Sequence, residues 1–163
     1  ILLTVGRQDF VKGYGLLERA WNILGRSAPE ALWVQVGGAG PSRSARRFVT
    51  GPLPREDVAE WIHAADVGAL PSYYEGCSVA LIEMLAGGLP TLAHDVGNAA
   101  EVIRPGWNGE LVGSSPGAWV RALRERLARA PERAPAAFDH EFSWEKITDR
   151  VEEVYRTAIA SRS

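Results

Sequence analysis

Two glutamates, eight positions apart, are the residues of this chain best suited to do chemistry. Glu75 lies in a polar turn, whereas Glu83 lies inside an otherwise apolar run from Val79 to Ala86. That run is apolar on all faces and predicts an interior helix. Because a buried carboxylate without a partner is costly, we expect Glu83 to meet a hydrogen-bond donor or to face a cleft.

The residues between the two glutamates supply backbone donors. A helix that begins near Ser78 leaves the amides of Gly76, Cys77 and Ser78 free, and such a helix start attracts anions. Arg7 and Lys12, five positions apart in a loop, would add positive charge from the other side. Two carboxylates beside an anion-binding helix start suit a ligand with both hydroxyls and phosphate.

Alternating strands and helices must position these residues. Short apolar and β-branched runs predict buried strands at 1–5, 31–36, 46–50, 66–71, 90–94 and 110–112. Apolar spacing and capping residues predict helices at 14–24, 55–65, 78–86, 116–129 and 144–160, with a short one ending at 104. This order predicts an α/β fold with a parallel sheet covered by helices on both faces.

Polar residues follow several of the predicted strands. Ligands of parallel sheets bind beyond the carboxyl ends of the strands. Five positions or pairs fall at such ends: Arg7, Gly37–Gly38, Gly51, Glu75 and Asp95. Their shared placement predicts a single site at one edge of the sheet.

The segment from Glu75 to Pro90 resembles the signature of a known enzyme family. Seven residues separate Glu75 from Glu83, and Ala86-Gly-Gly-Leu-Pro90 follows. The pattern is similar to that of the group 1 retaining glycosyltransferases, whose GT-B architecture joins two Rossmann-like domains. The resemblance covers nearly all of residues 1–163, as the C-terminal, donor-binding half. It implies that an N-terminal acceptor domain lies outside this chain.

The resemblance implies transfer of a sugar from a nucleoside diphosphate to an acceptor hydroxyl, with retention of anomeric configuration. Gly6-Arg7 and Lys12-Gly13 match the family's diphosphate-binding positions. By the same likeness, Glu83 would bind the ribose hydroxyls. Glu75 would contact the transferred sugar and act as the catalytic residue. The remaining implied ligand contacts are the backbone of Gly76, Cys77, Ser78 and Val79.

Two features depart from the family pattern. Cys77-Ser78 stands where an aromatic residue and a glycine are more common, so the Ser78 hydroxyl either donates to the ligand or caps the helix. Only nine residues, Gly37 to Ala45, join the second and third strands, whereas a parallel crossover usually needs a dozen or more. Either this connection is nearly non-helical, or the third strand is misplaced. The base-binding wall implied around Leu53 depends on that choice.

The bulk composition describes one globular domain. The chain has 163 residues, of which 46% are hydrophobic and 23% charged. The net charge of −2 favours neither nucleic acid nor an anionic membrane, and no apolar run is long enough to span a bilayer. The single Cys77 and the lack of a secretory signal lead us to expect a cytoplasmic protein. Since the chain opens at Ile1 within a strand, we expect a domain of a longer protein.

No cofactor or metal is expected. His63, His94 and His140 do not form a ligand set, although His94 ends a strand next to Asp95 and is a candidate for a site role. We expect His63 to be exposed and His140 to lie in a connector. An Asp-x-Asp cation site is absent, so neutralisation of a diphosphate would fall to Arg7, Lys12 and the helix amides.

Two other functions compete with sugar transfer. One is an enzyme of another class on the same fold, such as a nucleotide-sugar epimerase or a phosphorylase. The other is a non-catalytic binding module, which the departures at Cys77, Ser78 and the short crossover favour. A hydrolase with paired carboxylates fits less well, because Glu83 is set in an apolar helix.

Overall fold

A computed structural model describes residues 1–25, 27–129, 133 and 142–161 of this chain. Six strands form one sheet in the order β3-β2-β1-β4-β5-β6, and every neighbouring pair is parallel. The predicted α/β fold is confirmed. The strands are β1 Leu2–Val5, β2 Trp33–Arg43, β3 Arg47–Gly51, β4 Val67–Leu70, β5 Thr91–Ala93 and β6 Gly109–Leu111. The helices are α1 Tyr14–Leu24, α2 Arg55–Ala64, α3 Val79–Ala86, α4 Ala99–Val102, α5 Pro116–Leu127 and α6 Trp144–Ala160.

The sheet is packed on both faces, as predicted. Successive residues of β1 point to opposite faces. Leu2 packs with Leu17 of α1 and Trp119 of α5, whereas Leu3 packs with Ile62 of α2 and Met84 of α3. All six side chains are at most 4% exposed. Two apolar layers therefore hold the sheet between α1 and α5 on one side and α2 and α3 on the other.

The connection from β2 to β3 contains no helix. Trp33 to Gln35 pair in register with Arg47 to Val49, but the register shifts after Gln35. Ser42 and Arg43 return to lie beside Val49 and Phe48. The second half of β2 thus turns back, so that it runs from the end of β3 towards its start while remaining extended. Of the two alternatives left open by the sequence, the non-helical connection is correct, and the third strand is displaced by one residue.

Two arginines cover part of the sheet face near this connection. The Cζ atom of Arg46 lies 4.7 Å from the ring centroid of Trp21, and that of Arg47 lies 4.2 Å from that of Trp33. Arg47 also donates a hydrogen bond of 2.5 Å to Gln35 Oε1. Flat guanidinium groups on aromatic faces shield apolar surface. Here they do so on the face shared with α1, beside the helix-free connection.

The prediction that α3 is interior on all faces is wrong. Leu81, Met84 and Leu85 are buried, but Val79 is 61% exposed and Ala86 is also exposed. Positions 79, 83 and 86 form one stripe along a helix, because they are separated by four and three residues. The whole stripe, including Glu83, faces outward. Glu83 is therefore tolerated because it remains in contact with solvent.

The C-terminal helix α6 buries none of its residues. Its apolar side chains Trp144, Val151, Val154, Tyr155 and Ile159 are 47–79% exposed. His140 and most of the predicted 129–137 connector lie outside the described residues. Within the described part of the chain, no helix is long and apolar enough to cross a bilayer.

Candidate functional site

The site is organised by the loops that follow β1 and β4. The strand order reverses between these two neighbours, and ligands of open parallel sheets bind at such a point. The loops are locked together: the Tyr73 amide donates to the Val11 carbonyl at 2.8 Å. Gly13 has a φ of 68°, and a Cβ atom there would lie 1.9 Å from the Pro71 carbonyl oxygen. Only glycine permits this approach.

Lys12 and Glu75 meet between these loops. Lys12 Nζ lies 2.7 Å from Glu75 Oε1, and the Ser72 hydroxyl donates to the same oxygen at 2.7 Å. The side chains of Lys12 and Glu75 are 22% and 11% exposed. An ammonium group has three donors, so Lys12 keeps capacity for a further acceptor. Glu75 Oε2 has no donor within the described residues and is free to accept from a hydroxyl.

Arg7 lies in the same loop as Lys12, two positions after the end of β1. Its side chain is exposed and has no hydrogen bond or ion pair to any described residue. The preceding Gly6 is pressed against the middle of β2, since a Cβ atom on Gly37 would lie 2.3 Å from the Gly6 carbonyl oxygen. The structure thus brings Lys12 and Glu75 into contact but gives Arg7 no partner among the described residues.

The start of α3 is only partly free to bind a ligand. The Ser78 hydroxyl accepts from the Leu81 amide at 3.3 Å, which confirms the capping interpretation of that side chain. The Ser78 amide donates to Asn98 Oδ1 at 2.9 Å, so the expectation that this amide is free is wrong. Asn98 competes for the donor because the loop after β5 packs against the helix start.

The other amides at this helix start remain available. Gly76, Cys77 and Val79 are exposed, and their backbone N–H groups have no acceptor in the part of the chain that the structure describes. Cys77 carries a free thiol. These three amides are therefore free, as predicted, and their binding of an anion stays a prediction.

The loop after β5 closes the site from the side, which the sequence did not reveal. Gly97 has a φ of 58°, and a Cβ atom there would come within 2.8 Å of the carbonyl oxygens of Glu75 and Gly76. Asn98 is 7% exposed, and its Nδ2 atom has no acceptor among the described residues. The available signal was a polar residue just beyond a strand end. Asp95, in the same loop, was noted for that reason.

Glu83 lies in α3, and Leu53 lies just before α2. The Glu83 side chain is 29% exposed, and its Oε1 atom lies 3.5 Å from Nη2 of Arg55, whose side chain is 82% exposed. This is a surface ion pair rather than an internal one, so Glu83 stays accessible to a ligand. Leu53, just before α2, is half-buried and packs on the apolar cluster that contains Leu3.

His94 lies behind the site. It is 5% exposed, and its Nδ1 atom is 3.0 Å from the Ser72 carbonyl oxygen. On the other side of the ring, Trp119 Nε1 donates to its Nε2 atom at 3.0 Å. Neither Ser72 nor Trp119 was predicted to matter for the site, because each meets His94 only in the folded chain. His63 is exposed, as predicted.

Two further observations delimit the site. In the described ranges, no three His, Cys, Asp or Glu side chains converge as a metal site would require. A cavity of about 720 Å³ lies between β6 and α5, lined in part by Glu110, Arg121 and Arg129. None of the predicted site residues lines that cavity, so it is separate from the loops after β1 and β4.

Together, the parallel sheet and the polar loops at its switch point define a Rossmann-like α/β domain with a candidate ligand site at the strand ends. The model of the family described as glycosyl transferases group 1 matches residues 1–129. The chain therefore belongs to the group 1 glycosyltransferase family.

Curated relatives agree with this assignment. The D-inositol 3-phosphate glycosyltransferase of Streptomyces coelicolor is 38% identical over 189 residues, covering 99% of this chain and 41% of the relative. That of Thermobispora bispora is 30% identical, and the alignment covers 98% of this chain and 43% of the relative. The chain thus spans less than half the length of either. Because the Streptomyces alignment is longer than this chain, the relative holds residues within the matched region that are missing here.

Solved structures share the fold. Sucrose-phosphate synthase from Thermosynechococcus elongatus superposes with a TM-score of 0.78 at 27% identity, covering 98% of this chain and 46% of that one. The C-terminal domain of a group 1 glycosyltransferase from Francisella tularensis superposes with a TM-score of 0.69 at 19% identity. The match covers 78% of this chain and 75% of that one. The second likeness concerns the fold alone, and both place this chain in the GT-B class.

Proposed function

We propose that this chain is the donor-binding half of a retaining glycosyltransferase whose donor is a nucleoside-diphosphate sugar. The observation that carries the proposal is the Lys12–Glu75 contact of 2.7 Å at the switch point of the sheet. It puts a cation and a carboxylate with a free oxygen beside the unpaired amides of Gly76 and Cys77. A sugar diphosphate offers the complementary groups, phosphate oxygens next to hydroxyls.

Each residue then has a defined task in the proposed transfer. The bond between the anomeric carbon and the diphosphate breaks, the acceptor oxygen bonds to that carbon on the same face, and the proton of the acceptor hydroxyl passes to the departing diphosphate oxygen. Arg7, Lys12 and the helix amides stabilise the charge that develops on the departing diphosphate. Glu75 binds the sugar and stabilises positive charge at the anomeric carbon. Glu83 binds the ribose hydroxyls.

The proposal assigns the acceptor site to a second domain outside this chain. The curated relatives are more than twice as long as the matched segment, which supports a two-domain parent. An acceptor glycan, lipid or small molecule would enter between the domains. We therefore expect the isolated chain to bind the donor weakly and to transfer little or no sugar. No cofactor or divalent cation is invoked.

A non-catalytic binding module remains the second candidate. Two features support it: the β2–β3 connection has no helix, and the Ser78 amide is already bound by Asn98. Both differ from the family-like ligand site expected from the sequence. Isothermal titration of the folded chain with UDP, GDP and ADP separates the two functions. The donor-binding proposal predicts heat with at least one nucleotide, whereas no heat with any of them favours the module.

The two lysines of the chain provide a matched test of the phosphate site. We expect Lys12→Ala to weaken nucleotide binding at least tenfold, since a charge-assisted hydrogen bond contributes roughly 1.5–3 kcal/mol. Lys146→Ala, on the exposed helix α6, removes the same charge away from the loops. Equal affinities for the two variants would contradict the proposed site. Thermal unfolding of both variants confirms that they fold.

A further inference from the structure

His94 has both ring nitrogens engaged by partners that determine its tautomer. Trp119 Nε1 can only donate, so the His94 Nε2 atom that it contacts must accept. The Ser72 carbonyl oxygen can only accept, so the proton lies on Nδ1. The ring is also held by its neighbours, with ring centroids 5.4 Å from Trp119 and 5.9 Å from Tyr73. The imidazole therefore has one orientation and one tautomer.

Ser72 passes this constraint to the site. It is fully buried, and its two polar ends point to different partners. The carbonyl oxygen accepts from His94, while the hydroxyl donates to Glu75 Oε1 at 2.7 Å. Glu75 Oε1 is the same atom that Lys12 contacts. A continuous chain of hydrogen bonds thus runs from Trp119 in α5 to the carboxylate in the loop after β4.

We propose that His94 is a positioning residue that fixes the Glu75 carboxylate through Ser72. His94 is buried behind the loop, so it orients Glu75 and does not itself contact the sugar. By holding the Ser72 peptide, it aims the hydroxyl at Oε1 and leaves Oε2 of Glu75 pointing away from the protein donors. The inference rests on the proposed function for its catalytic meaning, because Glu75 is there assigned to the sugar.

Two amide substitutions separate positioning from simple core packing. Asn places a polar atom where His has Nδ1, so His94→Asn keeps a donor for the Ser72 carbonyl but loses the acceptor for Trp119. Gln places its polar group where His has Nε2, so His94→Gln keeps the acceptor for Trp119 but loses the donor to Ser72. Both variants remove an aromatic ring from the core and should lower stability to a similar degree.

The first measurement needs no ligand. We expect the ¹³C resonance of the Glu75 carboxyl carbon at neutral pH to stay near its wild-type position in His94→Asn and to shift in His94→Gln. Identical Glu75 resonances in the two His94 variants would overturn the inference.

The second measurement compares a nucleotide with and without sugar. We first select the nucleotide among UDP, GDP and ADP that binds best. We then compare the affinity of the protein for that nucleotide with its affinity for the glucose derivative of the same nucleotide. His94→Gln should lose roughly tenfold in affinity for the glucose derivative and little for the nucleotide, the size of one lost hydrogen bond. Equal losses for both ligands would contradict positioning of Glu75. If no nucleotide binds, the proposed function fails, while the ¹³C comparison still decides the inference.

Discussion

The Lys12 ammonium and the Glu75 carboxylate neutralise each other in the absence of ligand. Their loops are joined only by tertiary structure, since 63 positions separate the two residues. A diphosphate that approaches Lys12 is attracted by the ammonium group and repelled by the Glu75 carboxylate paired with it. The pair therefore pre-positions Lys12 but also opposes a second anion.

Glu75→Gln tests this opposition. The amide oxygen can still accept from Ser72, but Lys12, 22% exposed, loses its counter-charge. We expect the free energy of unfolding to fall by roughly 1–3 kcal/mol and the affinity for a nucleoside diphosphate to rise. Urea denaturation and titration calorimetry measure the two effects. Glu60→Gln on the exposed side of α2 is the control, and matching stabilities for both variants would show that the ion pair contributes nothing.

Tyr14, the first residue of α1, gives a prediction that depends on pH. It is 8% exposed, and burial raises the pKa of its phenol to about 12, with Glu75 adding to the rise and Arg47 opposing it. Below pH 10 the phenol is neutral in both the folded and the unfolded chain. Between about pH 10 and 12 only the unfolded chain ionises, so the free energy of unfolding falls by about 2–3 kcal/mol.

Tyr14→Phe should remove this contribution. Spectrophotometric titration of tyrosinate should show one of the four tyrosines ionising near pH 12 in the wild-type chain, and that step should vanish in the variant. The slope of stability against pH in this window should also decrease. A wild-type titration in which all four tyrosines ionise together would refute the assignment.

Among the elements, the loop between β1 and α1 depends on one glycine. Gly13 combines a positive φ with a close approach to the Pro71 carbonyl, and it holds Lys12 in place. Gly15, two positions later in α1, has no neighbouring atom within 4 Å of the point that an added methyl group would occupy. Gly13 therefore has no room for a side chain, whereas Gly15 has ample room for one.

This contrast predicts opposite effects for the same substitution. Gly13→Ala should lower the free energy of unfolding by at least roughly 2 kcal/mol, from backbone strain and a steric clash. Gly15→Ala should raise it by about 0.5–1 kcal/mol, because alanine favours the helix. Denaturant unfolding of both variants measures the difference. A Gly13→Ala variant as stable as wild type would show that the two loops are not locked.

Local pattern predicted most elements but misjudged α3 and the connection after β2. The boundaries of α1 are reproduced to the residue, since apolar spacing and a flanking glycine are local signals. For α3, a uniformly apolar composition cannot tell which side is covered, and the stripe with Val79 and Glu83 faces outward. The length of the crossover was informative, because nine residues cannot form a helical return.

At the scale of the whole molecule, α5 and α6 contribute very differently to stability. Leu123 of α5 is fully buried in the apolar layer that includes Leu2 and Trp119. Val154 of α6 is 66% exposed. The sheet and its two covering layers therefore form the folded unit, to which α6 adds little apolar burial.

Alanine substitutions at these two positions should differ accordingly. We expect Leu123→Ala to reduce the free energy of unfolding by about 2–5 kcal/mol, because it leaves a cavity in a packed layer. Val154→Ala should change it by less than about 0.5 kcal/mol. Thermal and denaturant unfolding of the isolated chain measure both values. A large loss for Val154→Ala would show that α6 packs on the domain in solution.

The sequence by itself determined the parallel α/β fold and the placement of Arg7, Lys12 and Glu75 at strand ends. These follow from burial patterns and from the alternation of strands and helices along the chain, which neighbouring residues encode. Only the tertiary structure decided the pairs Lys12–Glu75, Ser78–Asn98 and His94–Trp119. Their members are 20 to 63 positions apart, and whether two such groups meet depends on how whole layers pack. The same packing left Glu83 open to solvent, because it covers α3 on one side only.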